Sequence, residues 1–157
     1  HKISLSKLPK SFLILTLRDS RDPLPVSRLS TTPGAYDHTV RLWDPRSPTP
    51  GLATLQHGAP VESLTFLPSG TLLASAGGAY ICIWDLLGGN RLVAKLANHQ
   101  KTVTSLVAAP HAGPPASGGP RLLSASLDGH VKVYELEGFK CTYAASYRGP
   151  ILSLGLT

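Results

Sequence analysis

Three related segments recur along the chain: AYDHTVRLWD at residues 35–44, GAYICIWD at residues 78–85 and LDGHVKVYE at residues 127–135. Each runs from a turn into a short strand pattern that ends on an aromatic residue and an acid. Trp43 and Trp84 stand 41 residues apart, and Tyr134 follows 50 residues later, across a stretch rich in Pro and Gly. A recurrence of roughly 40 to 45 residues with a Gly-His-like start and a Trp-Asp end is the spacing of a four-stranded β-propeller blade. At that period three blades take about 125 residues, so a chain of 157 residues holds three of them, whereas a ring closes with roughly 4 to 8.

The pattern inside each interval supports the same all-β reading. Asp37-His38 forms a tight turn, residues 39–43 read as a strand, and Asp44-Pro45 stops it because proline offers no ladder donor. Leu52, Thr54 and Leu55 mark the outer strand of that unit. His57-Gly58 opens the next, whose four strands are predicted over residues 61–67, 72–76, 80–84 and 92–96 with Gly/Pro turns between them. His99 opens a third, with strands at 103–108, 122–126, 131–134 and 141–144 and an insertion at 110–120 that accounts for the longer interval. Residues 151–157 alternate as the first strand of another blade. The chain thus divides into residues 1–33, a basic, Pro-containing extension or discontinuous segments abutted across missing residues, whose only apolar run is FLILTL, and a partial propeller at 34–157.

Charge adds a second theme. Lys and Arg outnumber Asp and Glu by 15 to 9, and residues 1–30 carry +4 of the resulting +6. Phosphate backbones reward such charge without sequence readout, and an ordinary solvated surface accounts for it equally. Arg41, Arg46, Lys101 and Arg121, near strand ends or turns, are the candidate RNA or partner contacts, with solubility as their plain alternative. Cys82 and Cys141 form neither a CxxC pair nor a disulfide framework, which points to a reducing compartment. No run of about 18 apolar residues exists to cross a membrane.

Catalytic chemistry finds no footing in these residues. His38, His111 and His130 fall in turns or loops without HExxH or another metal-ligand spacing. No GxxxxGK[ST] phosphate loop and no GxSxG elbow occurs. The expectation is a non-enzymatic protein without a metal or cofactor.

The strings AYDHTVRLWD, HGAPVESLTFLPSGTLLASAGGAYICIWD, HQKTVTSLV, RLLSASLDGHVKVYE and YRGPILSLGL resemble the central propeller region of the WD-repeat proteins, and among them the family of the fifteenth U-three small nucleolar RNA-associated protein. The Asp-less Gly77-Gly78 turn before Trp84, the PVES run from Pro60 and the KVY ending at Tyr134 carry that resemblance. It implies a seven-bladed WD-repeat β-propeller, seen here as about three blades and the first strand of another. It also implies a scaffold in the early-assembling subcomplex of the nucleolar small-subunit processome. Such a scaffold supports pre-ribosomal RNA processing and small ribosomal subunit assembly, is linked to ribosomal DNA transcription, resides in the nucleus and nucleolus, and touches pre-ribosomal RNA directly or through other processome proteins. The competing expectation is a WD-repeat adaptor in ubiquitin ligation or cytoplasmic signalling.

The same resemblance assigns structural roles. In this family a His before the inner strand, a Ser or Thr, an Asp from the turn after the second strand and a Trp from the third strand brace each blade. The matching residues are Asp37 and Trp43 in the first unit, His57 and Trp84 in the second, and His99, Ser126 and Asp128 in the third, where Tyr134 takes the place of Trp. Ala35 and Ala76 correspond to Ser126, and Gly78 replaces the Asp, so weaker polar bracing is expected in the second blade.

Overall fold

The computed structural model describes residues 38–43, 51–110 and 119–156. The 1–33 extension, Asp37, Arg46, the side chain of Trp43 and residues 111–118 of the insertion lie outside the described residues. The chain forms two compact units, one ending at Val61 and one beginning at Glu62.

In the first unit, β1 (Thr39–Trp43) and β2 (Gly51–Gln56) pair antiparallel, from Thr39↔Gln56 to Leu42↔Ala53, with a register shift between Leu42 and Trp43. Val40 and Leu42 alternate on β1 and are buried, as is Leu55 opposite Val40. These are the third and outer strands expected of the first blade. His38, at φ 65°, turns its carbonyl back to accept from the amides of His57 at 2.9 Å and Gly58 at 3.3 Å.

The second unit holds two complete four-stranded antiparallel sheets. One runs β3 (Ser63–Phe66), β4 (Leu72–Gly77), β5 (Tyr80–Asp85) and β6 (Arg91–Leu96) in sequence order. The other runs β7 (Val103–Ala109), β8 (Arg121–Ser126), β9 (His130–Glu135) and β10 (Lys140–Ser146), also in sequence order. Consecutive hairpins in one sheet are the meander of a propeller blade. The predicted strands agree to within a residue or two, apart from the first, which is limited to Ser63–Phe66, with Val61 and Leu67 buried on either side.

Burial follows from composition. Small and aliphatic side chains line both faces of β4 and β5, so Leu73, Ala74, Ala76, Ile81 and Ile83 are all fully buried. The two sheets share one apolar cluster, in which Leu67, Ala76, Ile81, Ile83 and Leu96 meet Val103, Leu106, Leu122 and Tyr134. Each fully buried Leu or Ile there contributes roughly 1.5–3 kcal/mol. Outer strands β6 and β10 are largely exposed, Leu92, Val93 and Tyr143 included.

Two blade-to-blade hydrogen bonds recur with their donors at a constant offset. Leu106 donates its amide to Ser63 Oγ at 3.0 Å, and Val103 donates to the Gly78 carbonyl at 2.8 Å. Forty-eight residues further on, Leu154 donates to Ser105 Oγ at 3.2 Å and Ile151 to the Ser126 carbonyl at 3.2 Å. Residues 151–156 therefore lie where the next inner strand belongs, yet they are not a strand. An inner strand earns its ladder from the second strand of its own blade, as β3 does from β4 and β7 from β8. Residues 151–156 have no such partner among the described residues, and side-chain anchors such as Thr104 Oγ1, which donates to Ile151 O at 2.7 Å, replace it.

Candidate functional site

The best-connected polar cluster joins the entry of the last complete blade to the turn between its second and third strands. His99 Nδ1 lies 2.9 Å from Asp128 Oδ2, and His99 Nε2 lies 2.7 Å from Ser124 Oγ. A carboxylate only accepts, so Nδ1 carries the proton, and the neutral ring leaves Nε2 to accept from the Ser124 hydroxyl. Asp128 also accepts from the amides of Gln100 at 2.8 Å, through Oδ2, and His130 at 2.9 Å, through Oδ1. The His99 side chain is fully buried and that of Asp128 is 5% exposed.

The electrostatics fit those protonation states. Burial works against the Asp128 charge but is outweighed by the Gln100 and His130 amides and by His99, so the carboxyl stays well below its usual range. For His99, burial lowers the imidazole pKa and Asp128 only partly opposes it. The pair is therefore a neutral imidazole donating to a carboxylate, and the Ser124 hydroxyl bonded to its other nitrogen is fully buried, so the three groups are enclosed in the blade. Among the described residues, no group of three or more His, Cys, Asp or Glu is placed to hold a metal ion.

The structure corrects the expected hydroxyl. Ser126 does not reach His99; its Oγ donates to the Lys101 carbonyl at 2.9 Å and accepts from the Asp128 amide at 3.2 Å, which shapes the turn. Ser124 supplies the bracing hydroxyl. Likewise Ser75, not the position of Ala76, serves the second blade, accepting from Trp84 Nε1 at 2.8 Å. Strand register explains both. Leu73 pairs with Trp84 and Leu122 with Tyr134, and the serine follows two residues after each leucine. Counting back from the aromatic residue misplaces Ser75, because the β4–β5 connection is one residue shorter than β8–β9. Gly77 pairs with Tyr80, leaving only Gly78 and Ala79 in the loop. Gly78, at φ 56°, takes the first loop position, where a type II′ turn calls for glycine, and so tight a hairpin has no room for an Asp-bearing arm.

The remaining predicted residues separate. Trp84 is buried, with its Nε1 donating to Ser75 Oγ. His57 is buried in the first unit. Tyr134 replaces Trp in position but not in bonding: its fully buried Oη faces Ser124 yet has no partner at hydrogen-bonding geometry among the described residues. Burial pushes its phenol up to about 12, with Cys141 adding to the rise and Ser124 opposing it. Since the hydroxyl gains little from the fold, Tyr134→Phe is expected to change stability by no more than about 1 kcal/mol. A urea-unfolding series checks this, and a loss well above that value would reveal a real bond to Ser124. Lys101 is exposed, while Arg41 and Arg121 are half-buried within strands. Cys82 is buried, and desolvation raises its thiol to about 11 despite Lys95, which makes it an inert strand residue.

Four-stranded meanders repeating at about 40 to 50 residues, each tying a third-strand aromatic to a second-strand position, define a blade of a β-propeller repeat protein. The chain belongs to the WD-repeat family: the WD domain, G-beta repeat matches residues 51–85 and 90–135. It is 48% identical over 123 residues to the U3 small nucleolar RNA-associated protein 15 homolog of Xenopus tropicalis, covering 78% of this chain and 22% of that protein. The human homolog is 48% identical over 103 residues, covering 66% of this chain and 18% of the relative. Protein SLOW WALKER 1 of Arabidopsis thaliana is 43% identical over 106 residues, covering 68% and 19%. The chain thus spans about a fifth of the length of these relatives.

Proposed function

We propose that the protein is a non-enzymatic scaffold of the nucleolar small-subunit processome. In this reading its blades belong to a seven-bladed propeller that presents rigid surfaces to other processome proteins of the early-assembling subcomplex, and it supports pre-ribosomal RNA processing and small ribosomal subunit assembly, with a link to ribosomal DNA transcription. The observation that carries the proposal is the 48% identity to a U3 small nucleolar RNA-associated protein across 78% of the chain. Fold alone does not select a function among propellers; the internal geometry adds that the His, Ser and Asp which converge are engaged in bracing the blade. The exposed surface is left for partners, and the nucleus and nucleolus are the expected location.

Affinity purification of the tagged full-length protein from native cells, with identification of bound proteins and RNA, tests this reading. Processome proteins and pre-ribosomal RNA are the expected companions, and depletion should raise the level of unprocessed precursor RNA. Recovery of ubiquitin-ligase or signalling subunits in their place would favour the adaptor reading.

A further inference from the structure

The cations of the second unit are unevenly placed between the two ends of its blades. One end is defined by the β4–β5 and β8–β9 turns and by the connections that follow β6 and β10. Val103 N on Gly78 O, Asp128 on His99 and Gln100, and Tyr147 N on Gly129 O at 2.7 Å tie these segments together. At this end stand Lys95, Lys101, Lys132 and Arg148, opposed by Glu62 and the buried, fully bonded Asp128. The far end carries Arg91, Arg121 and Lys140 against Asp85, Glu135 and Glu137, a balanced set in which Arg91 lies 3.8 Å from Asp85 and Arg121 pairs in register with Glu135.

Two tyrosines accompany the excess charge. Tyr147 is 59% exposed between β10 and Arg148, anchored through its backbone amide. Tyr80 opens β5 with the Lys95 ammonium 3.7 Å from its ring centroid. Lys132 donates to the Asn98 carbonyl, which holds its side chain against the connection that carries Lys101. Cations spaced along a surface together with exposed aromatic faces are what single-stranded nucleic acid requires: charge tracks the phosphates and rings stack on bases.

We propose that this end of the blades, through Lys95, Lys101, Lys132 and Arg148 with Tyr147 as a stacking platform, binds the backbone of single-stranded RNA. The inference rests on the scaffold reading for the choice of RNA as the polyanion, and it deepens that reading by making the contact direct. Lys101 was legible as a candidate in the sequence. Arg121 falls at the balanced end and leaves the set.

The test uses the full-length protein and a fluorescein-labelled, unstructured single-stranded RNA of about 15 nucleotides, a length within the site size of a single-strand-binding surface. Lys101→Glu with Arg148→Glu should weaken binding at least tenfold and flatten the dependence of log affinity on log salt by about 1.4, or about 0.7 for each lost phosphate contact. Tyr147→Ala should weaken single-strand binding about tenfold while leaving binding of a duplex RNA of equal length unchanged. Arg91→Glu with Lys140→Glu, at the other end, should have little effect, and circular dichroism verifies that each variant is folded. Unchanged affinity in the first variant, or equal losses from both ends, overturns the proposal, and so does loss of an acidic protein partner with RNA affinity intact. The scaffold reading is judged separately: if the Lys101/Arg148 variant keeps both its RNA affinity and its association with precursor particles, only the direct contact fails, whereas absence of the wild-type protein from those particles removes the scaffold reading.

Discussion

Asp128→Ala is expected to lower the stability of the protein by about 3–5 kcal/mol, the cost of removing one member of a buried, charge-assisted network. The loss has three sources. His99 Nδ1 loses its acceptor inside the fold, the amides of Gln100 and His130 lose theirs, and the β8–β9 turn loses the arm that ties it to the blade entry. Thermal or urea unfolding of the full-length protein measures the effect, and an unchanged midpoint would show that the brace is dispensable. Asp128→Asn should cost less, because an amide oxygen still accepts from His99 or Gln100.

Acid sensitivity separates the two ionisable members. His99 is depressed from its ordinary 6.5, so below that pH the unfolded chain takes up a proton that the folded chain refuses, and stability falls as pH falls. Asp128 is depressed from 3.8, so its contribution is fully present above that value and is lost as pH drops further. Wild-type protein should therefore lose stability in two stages, beginning near pH 6.5 and steepening below about pH 4. Asp128→Asn should keep the first stage and lack the Asp128 share of the second.

Gly129→Ala is the other substitution with a large expected effect, about 2–4 kcal/mol, because two independent penalties coincide. Gly129 adopts φ +79°, a left-handed conformation that disfavours a side chain, and an added Cβ would lie 2.7 Å from the Tyr147 carbonyl oxygen and 3.0 Å from that of Gly149. Those are backbone atoms, so relief requires moving the connection that follows β10, including the Tyr147 amide bonded to Gly129 O. Gly70→Ala is the internal control: its φ is +71° but nothing lies within 4 Å of the added Cβ. It should cost only the conformational share, roughly 1 kcal/mol. Equal unfolding midpoints for the two variants would show that the Tyr147 contact is without consequence. If the proposed RNA surface is correct, Gly129→Ala should also weaken RNA binding, since it displaces Tyr147 and Arg148 together.

Much of the blade was readable in advance because the repeat is a local property. Alternation, Gly/Pro punctuation and the Trp84 and Tyr134 endings place eight strands of the second unit from short-range pattern alone. His99 and Asp128 were also identifiable, through the resemblance to WD-repeat proteins that implies a brace at their positions. The bracing serine was not. Ser124 and Ser126 have the same parity on one strand, and sequence offers no reason to prefer either until pairing of Leu122 with Tyr134 sets the register. In the second blade the count of eight taken from Ser126 to Tyr134 points from Trp84 to Ala76, whereas the ten-residue interval of Ser124, less the one residue missing from the turn, gives Ser75. A Leu-x-Ser spacing shared by residues 73–75 and 122–124 was the available signal.

The amino-acid sequence alone determined the repeat and the all-β blades, because period and turn residues are written along the chain, and its resemblance to WD-repeat proteins pointed to His99 and Asp128 as braces. Tertiary structure decided which hydroxyl completes the brace and gathered Lys95, Lys101, Lys132 and Arg148 at one end. Those outcomes depend on strand register and on which segments meet across a sheet. Residues far apart in the chain become neighbours only through that pairing, and a change of one residue in a turn is enough to reassign them.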